Sequence, residues 1–104
     1  MFYKQLENGE VAECSLEEWS AAFDMIEQRR VAWDDVGNMQ VSIVFLGTDH
    51  GFGMGKLPVL WETMIFGLPN EEEYQERYTS RKDALAGHQQ AVSLAQSKLK
   101  QGER

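Results

Sequence analysis

Apolar and polar residues alternate along this chain with two periods, and the periods divide it into strands and helices. Phe2 to Leu6 and Val11 to Cys14 are short, partly apolar runs on either side of Asn8-Gly9. Asn-Gly favours a tight hairpin because both residues tolerate the positive φ of a type I′ turn. Ser15-Leu16-Glu17-Glu18 follows. This is a capping box: the serine oxygen accepts from the third helical amide, and Glu18 reaches back to the cap. Leu16, Trp19, Ala22, Phe23 and Ile26 then recur at helical spacing and predict one apolar stripe. Acids near the start and Arg29-Arg30 near the end suit the helix dipole.

Beyond that helix the period shortens. Val31 to Asp35 reads as a strand, and Gly37-Asn38 as a turn. Met39 to Gly47 is the clearest strand. Val41, Ile43 and Phe45 point one way and Val44 and Leu46 the other, which predicts at least partial cover on both faces. A glycine-rich loop over residues 47–56 leads to a second long strand, Val59 to Phe66. The loop is too short for a helical crossover, so the two strands should pair antiparallel. Glu71-Glu72-Glu73 reads as a solvated acidic tip and Tyr74 to Thr79 as an edge strand. The last helix starts near Ser80, with Leu85, His88, Val92, Ala95 and Leu99 on one face. The expected fold is α+β, an antiparallel sheet of about five strands with two helices packed on one face. One domain should span residues 1–100, with a frayed tail over 101–104.

Composition agrees with a globular domain. Hydrophobic residues make up 42% and charged residues 26% of the 104 positions. The net charge of −7 opposes direct binding to a nucleic-acid backbone. Charge is also uneven. Residues 1–28 hold seven acids and only Lys4, whereas Arg77, Arg81, Lys82, Lys98, Lys100 and Arg104 cluster toward the other end. Cys14 is the single cysteine, so no intrachain disulfide forms, as suits a reducing cytoplasm. The start shows no basic region followed by an apolar one, and no apolar run reaches membrane-spanning length. The expectation is a cytoplasmic protein, away from membranes.

The loop over 47–56 is the stretch richest in chemistry. Gly47, Gly51, Gly53 and Gly55 alternate with Asp49, His50, Phe52, Met54 and Lys56. Such a loop either turns the chain or meets a ligand or partner, and its amides can form an anion nest. It ends in a strand, so it matches neither a phosphate-binding loop nor a dinucleotide fingerprint. Glu62 alternates with Leu60, Met64 and Phe66 on an apolar face; if buried it needs Arg77, Lys56 or a histidine as its partner. His88 is expected in the core, hydrogen-bonded, with Gly87 beside it for close helix–sheet packing. Cys14 precedes a helix N-terminus, which can lower a thiol pKa, yet nothing around it resembles a cysteine-enzyme signature. The two histidines and neighbouring acids lack metal-ligand spacing. No metal, cofactor or catalytic residue is expected.

The order of motifs then narrows the setting. Val41-Ser42-Ile43-Val44-Phe45-Leu46-Gly47 is followed by Asp49-His50 and Phe52-Gly53, by Glu62-Thr63-Met64-Ile65-Phe66-Gly67, by Arg77-Tyr78-Thr79-Ser80, and by Ala84-Leu85-Ala86-Gly87-His88. The string resembles a family of small bacteriophage and prophage proteins with no assigned activity. The resemblance covers residues 31–92, and more loosely the helix from Ser15. Where the family's loop ends in a Gly-Pro-Pro-like segment, this chain has Gly55-Lys56-Leu57-Pro58. The resemblance implies a phage setting and supplies no catalytic residue.

Two functions follow as expectations. The first is a phage-encoded, non-enzymatic accessory protein that binds a host macromolecule, with host-defence inhibition of the anti-CRISPR kind as one form. Its contacts would be the acidic residues Glu17, Glu18, Asp24 and Glu27. The second is a small-ligand or nucleotide binder using Asp49, His50, Phe52, Gly53, Lys56 and Glu62. Edge strands and aromatics also permit a homodimer.

Overall fold

The computed structural model describes residues 1–24, 29–51 and 53–102. Ile26, Glu27 and Phe52, and the side chain of Phe23, all named above, lie outside what it describes. Strands β1 (Phe2–Gln5) and β2 (Val11–Cys14) pair antiparallel as a separate hairpin. Its turn differs from the type I′ expected. Gly9 donates to Leu6 O at 3.0 Å, and Leu6 donates to Glu10 O at 2.8 Å. Gly9 has a φ of 86° while Asn8 keeps a negative one, so the left-handed position falls on the glycine alone.

Helix α1 (Leu16–Phe23) starts as the capping box requires, with Glu18 N donating to Ser15 Oγ at 3.1 Å. It packs against β1. Trp19 and Ala22 are half-buried, whereas Leu16, the first residue of the predicted stripe, is exposed. Strands β3 (Arg30–Val36), β4 (Met39–Phe45), β5 (Trp61–Phe66) and β6 (Tyr74–Tyr78) form a four-stranded antiparallel sheet in sequence order. The expected single sheet of about five strands is therefore two sheets, of two and four strands. The hairpin hydrogen-bonds to the chain just past the end of β4, where Tyr3 N donates to Gly47 O at 2.8 Å and Phe2 bridges Thr48.

Helix α2 (Arg81–Gly102) contacts all four strands of the larger sheet. Asp83 N donates to Ser80 Oγ at 3.1 Å, so Ser80 caps it. The helix continues through Gln101 and Gly102, which sequence reading assigned to a frayed tail. Its buried face matches the expected one at His88 and Ala95 and differs elsewhere. Ala84, Gly87, His88, Ala91 and Ala95 face the sheet, while Leu85 and Leu99 are exposed. Small residues face inward because the helix lies close to the strands. A Cβ on Gly87 would collide with the Tyr78 hydroxyl.

The core lies between α2 and one face of the sheet. Val36, Met39, Val41 and Ile65 pack with Ala91 and Ala95 at one end. Ile43, Phe45, Leu60 and Trp61 pack with Ala84 at the other, where Tyr3 and Val11 of the hairpin join them. The two helices thus do not share one sheet face: α2 covers the larger sheet and α1 covers the hairpin. The opposite face of the larger sheet has no helix across it among the described residues. The at least partial cover expected on both faces of β4 is present: on the face without a helix Ser42 is buried and Gln40 and Val44 are half-buried.

Candidate functional site

The loop between β4 and β5 is built around one carboxylate. Asp49 Oδ1 accepts from Gly51 N and from Val59 N, both at 2.8 Å, and Asp49 Oδ2 accepts from Gly53 N at 2.9 Å. His50 N donates to Val59 O at 2.9 Å, and Met54 N to Gly51 O at 3.0 Å. The amide bonds, that from Val59 first, hold the Asp49 carboxyl below the usual carboxylate range. Dense glycines here make an amide-lined concavity, as the sequence suggests, but the chain's own carboxylate fills it.

With its interior occupied, the loop shows its side chains outward. Met54 is 90% exposed and Leu57 61% exposed, with Lys56 exposed between them. Met54 and Leu57 thus place apolar surface in solvent on a hydrogen-bonded loop frame. His50 is half-buried.

Glu62 stands apart from these residues. It is buried on the sheet face away from α2. Its Oε2 accepts from Gln75 Nε2 at 2.7 Å and from Arg77 Nε at 2.9 Å, both on the edge strand β6. Arg77 is thus the charge partner that Glu62 requires, and neither contact comes from the loop. The carboxylate is tied into a structural pair across two strands.

Of the acidic residues on α1, Glu17 and Asp24 are exposed. Glu18 is engaged at 3.0 Å with Lys4 Nζ, and this bond, ahead of the Ser15 amide, lowers its pKa. Cys14 behaves opposite to the expectation from its place before a helix. Burial, followed by the Glu18 charge, pushes its thiol up. His88 is buried, as expected, and its partner is Asp34 on β3, a residue that sequence reading did not single out. Burial also pushes the phenol of Tyr78 up. Among the described residues, no three His, Cys, Asp or Glu side chains come together as a metal site, and no helix is long and apolar enough to cross a membrane.

Sequence reasoning also missed the uncovered sheet face. Trp33 is 39% exposed there, with the Arg30 guanidinium 4.2 Å from its ring centroid. The available signal was the alternation of Trp33 and Asp35 with Asp34 and Val36, which places the tryptophan opposite the core. No protein-family model matches the chain, and no curated protein or solved structure matches it either.

Proposed function

We propose that the protein is a phage-encoded, non-enzymatic accessory protein that binds a host macromolecule in the bacterial cytoplasm, its specific form being inhibition of a host defence system in the anti-CRISPR manner. The observation that supports a macromolecular partner most is the Asp49 staple. Gly51 and Gly53 direct their amides at Asp49, so a small anion such as a nucleotide phosphate has to displace an internal carboxylate to reach them. Met54 and Leu57 project from the same frame. A fixed loop with apolar tips suits insertion into a protein surface, where a few buried side chains carry most of the binding energy. The exposed Glu17 and Asp24, and the net charge of −7, add long-range attraction toward a basic partner surface.

The test is an affinity pull-down from bacterial lysate with three tagged proteins: the wild type, Met54→Glu with Leu57→Glu, and Glu17→Lys with Asp24→Lys. The wild type should retain a host protein in stoichiometric amount. The loop variant should lose it, and the charge-reversed variant should hold it less well, more so at low salt. A clean wild-type lane, together with a thermal shift on adding nucleotides, favours the small-ligand reading instead.

A further inference from the structure

The uncovered face of the four-stranded sheet has a pattern that the loop does not explain. Its side chains form three rows across the strands. One row runs Arg30, Val44, Glu62, Arg77. The central row runs Trp33, Ser42, Met64, Gln75. The third runs Asp35, Gln40, Phe66. Trp33 is 39% and Phe66 43% exposed. On a chain of net charge −7, this face balances Arg30 and Arg77 against Asp35 and Glu62. Two copies of so acidic a chain repel one another over most orientations, but not through a face that carries both signs equally.

The charges are also held in place. Arg30 stacks on Trp33, and Trp33 Nε1 donates to Asp35 Oδ1 at 3.2 Å. A cation and an anion therefore flank one exposed indole along the strand. Two in-plane two-fold axes bring a sheet face against itself with the strands of the two copies aligned, the commoner packing of sheets. An axis parallel to the strands exchanges β3 with β6, setting Arg30 against Arg77 of the partner subunit. An axis perpendicular to the strands keeps β3 over β3 and exchanges the outer rows, setting Arg30 against Asp35 of the partner subunit. Only the second joins opposite charges.

We propose that this face joins two copies of the chain about the two-fold axis perpendicular to the strands, with Trp33 and Met64 each meeting its own counterpart and Arg30 facing Asp35 of the partner subunit. Four strands about 4.8 Å apart, rising about 3.3 Å per residue, give a contact roughly 20 Å on each side. That is roughly 800 Å² over the two copies, below the size of stable interfaces and in the range of weak, transient ones, so the dimer forms only at high concentration. The proposal uses none of the loop residues.

Sedimentation equilibrium of the full chain, from a few micromolar to about 0.5 mM, reads the result directly. The wild type should pass from monomer to dimer mass over that range. Met64→Lys and, separately, Trp33→Lys, each of which sets a lysine against its own counterpart, should remain monomeric at the top concentration with an unchanged circular dichroism spectrum. Arg30→Asp and Asp35→Arg should each weaken association roughly tenfold, and the double exchange should restore it. Met54→Glu should leave dimerisation unchanged. A wild type still monomeric at the top concentration, or a dimer indifferent to both lysine substitutions, overturns the proposal. Failure of the double exchange to restore association overturns the assigned axis.

Discussion

His88 Nε2 lies 2.6 Å from Asp34 Oδ2, so the buried middle of the long helix is tied directly to an edge strand of the sheet. The two ends of this bond sit in different surroundings. The histidine side chain is 2% exposed and the aspartate side chain 53%. Because a carboxylate only accepts, Nε2 carries the proton. Nδ1 then faces the interior with no hydrogen-bond partner among the described residues. The Asp34 contact is the polar anchor of the ring.

Removing that anchor should be costly even though Asp34 is half in water. Asp34→Ala leaves a buried donor unmade and should destabilise by about 1–2 kcal/mol. Asp34→Asn keeps an acceptor and should lose less. His88→Ala deletes a buried ring and should lose about 2–4 kcal/mol. In a double-mutant cycle, Asp34→Ala should cost little once His88 is gone. Urea midpoints at unchanged slope measure all four proteins; strictly additive losses would show that the contact contributes nothing.

Gly87 gives a second test of how α2 meets the sheet. Alanine normally favours a helix over glycine by about 1 kcal/mol. Here the added methyl falls on the Tyr78 hydroxyl and ring. Gly87→Ala should therefore destabilise, by roughly 1–3 kcal/mol as overpacking does. Tyr78→Phe in the same protein removes the nearest atom and should recover part of the loss. A stabilised Gly87→Ala protein would mean that helix and strand β6 separate easily.

These contacts explain which parts of the fold were legible in the sequence. The capping box at Ser15 depends on residues within one turn, and it forms as read. Strand β4 has a long apolar alternation, and it too forms as read. The face of α2 is legible only in part: His88 and Ala95 are buried as expected, but a period of large apolar residues picks Leu85 and Leu99, whereas close approach selects small ones such as Ala84, Gly87 and Ala91. The division into two sheets turns on where the hairpin docks. That is decided by Tyr3 meeting Gly47, far along the chain. At the candidate site, Asp49 was legible as a residue of interest. Its bond to Val59, across the loop, was not, because glycine spacing does not reveal which amides a carboxylate will collect.

Cys14 tests the electrostatics at the other end of the molecule. A thiol before a helix is often activated, but burial and the Glu18 charge raise this one, with Lys4 only partly offsetting them. Alkylation by iodoacetamide at neutral pH should be slower than for an unstructured cysteine peptide, and the rate should go on rising with pH past the point where the peptide's levels off. Lys4→Gln should slow it further. Rapid labelling at neutral pH would show that the helix N-terminus dominates.

The loop should respond to acid before the core does. The folded Asp49 carboxyl titrates below its unfolded value, because three amides bind its charged form. Its contribution to stability is therefore complete above the ordinary aspartate value of about 3.9, and is lost as pH falls through the lower folded value. Amide exchange at Gly51, Gly53 and Val59 should accelerate in that window while Val41 and Ile43, at the centre of the sheet, stay protected. Asp49→Asn keeps only one accepting oxygen and should show fast exchange at Gly51 or Gly53 already at neutral pH. The same variant separates the two readings of the loop. If the staple holds Met54 and Leu57 in position for a partner, Asp49→Asn should weaken capture of that partner without touching any contact residue. If the concavity is a ligand nest, freeing the glycine amides should instead strengthen phosphate binding, which isothermal titration with inorganic phosphate detects.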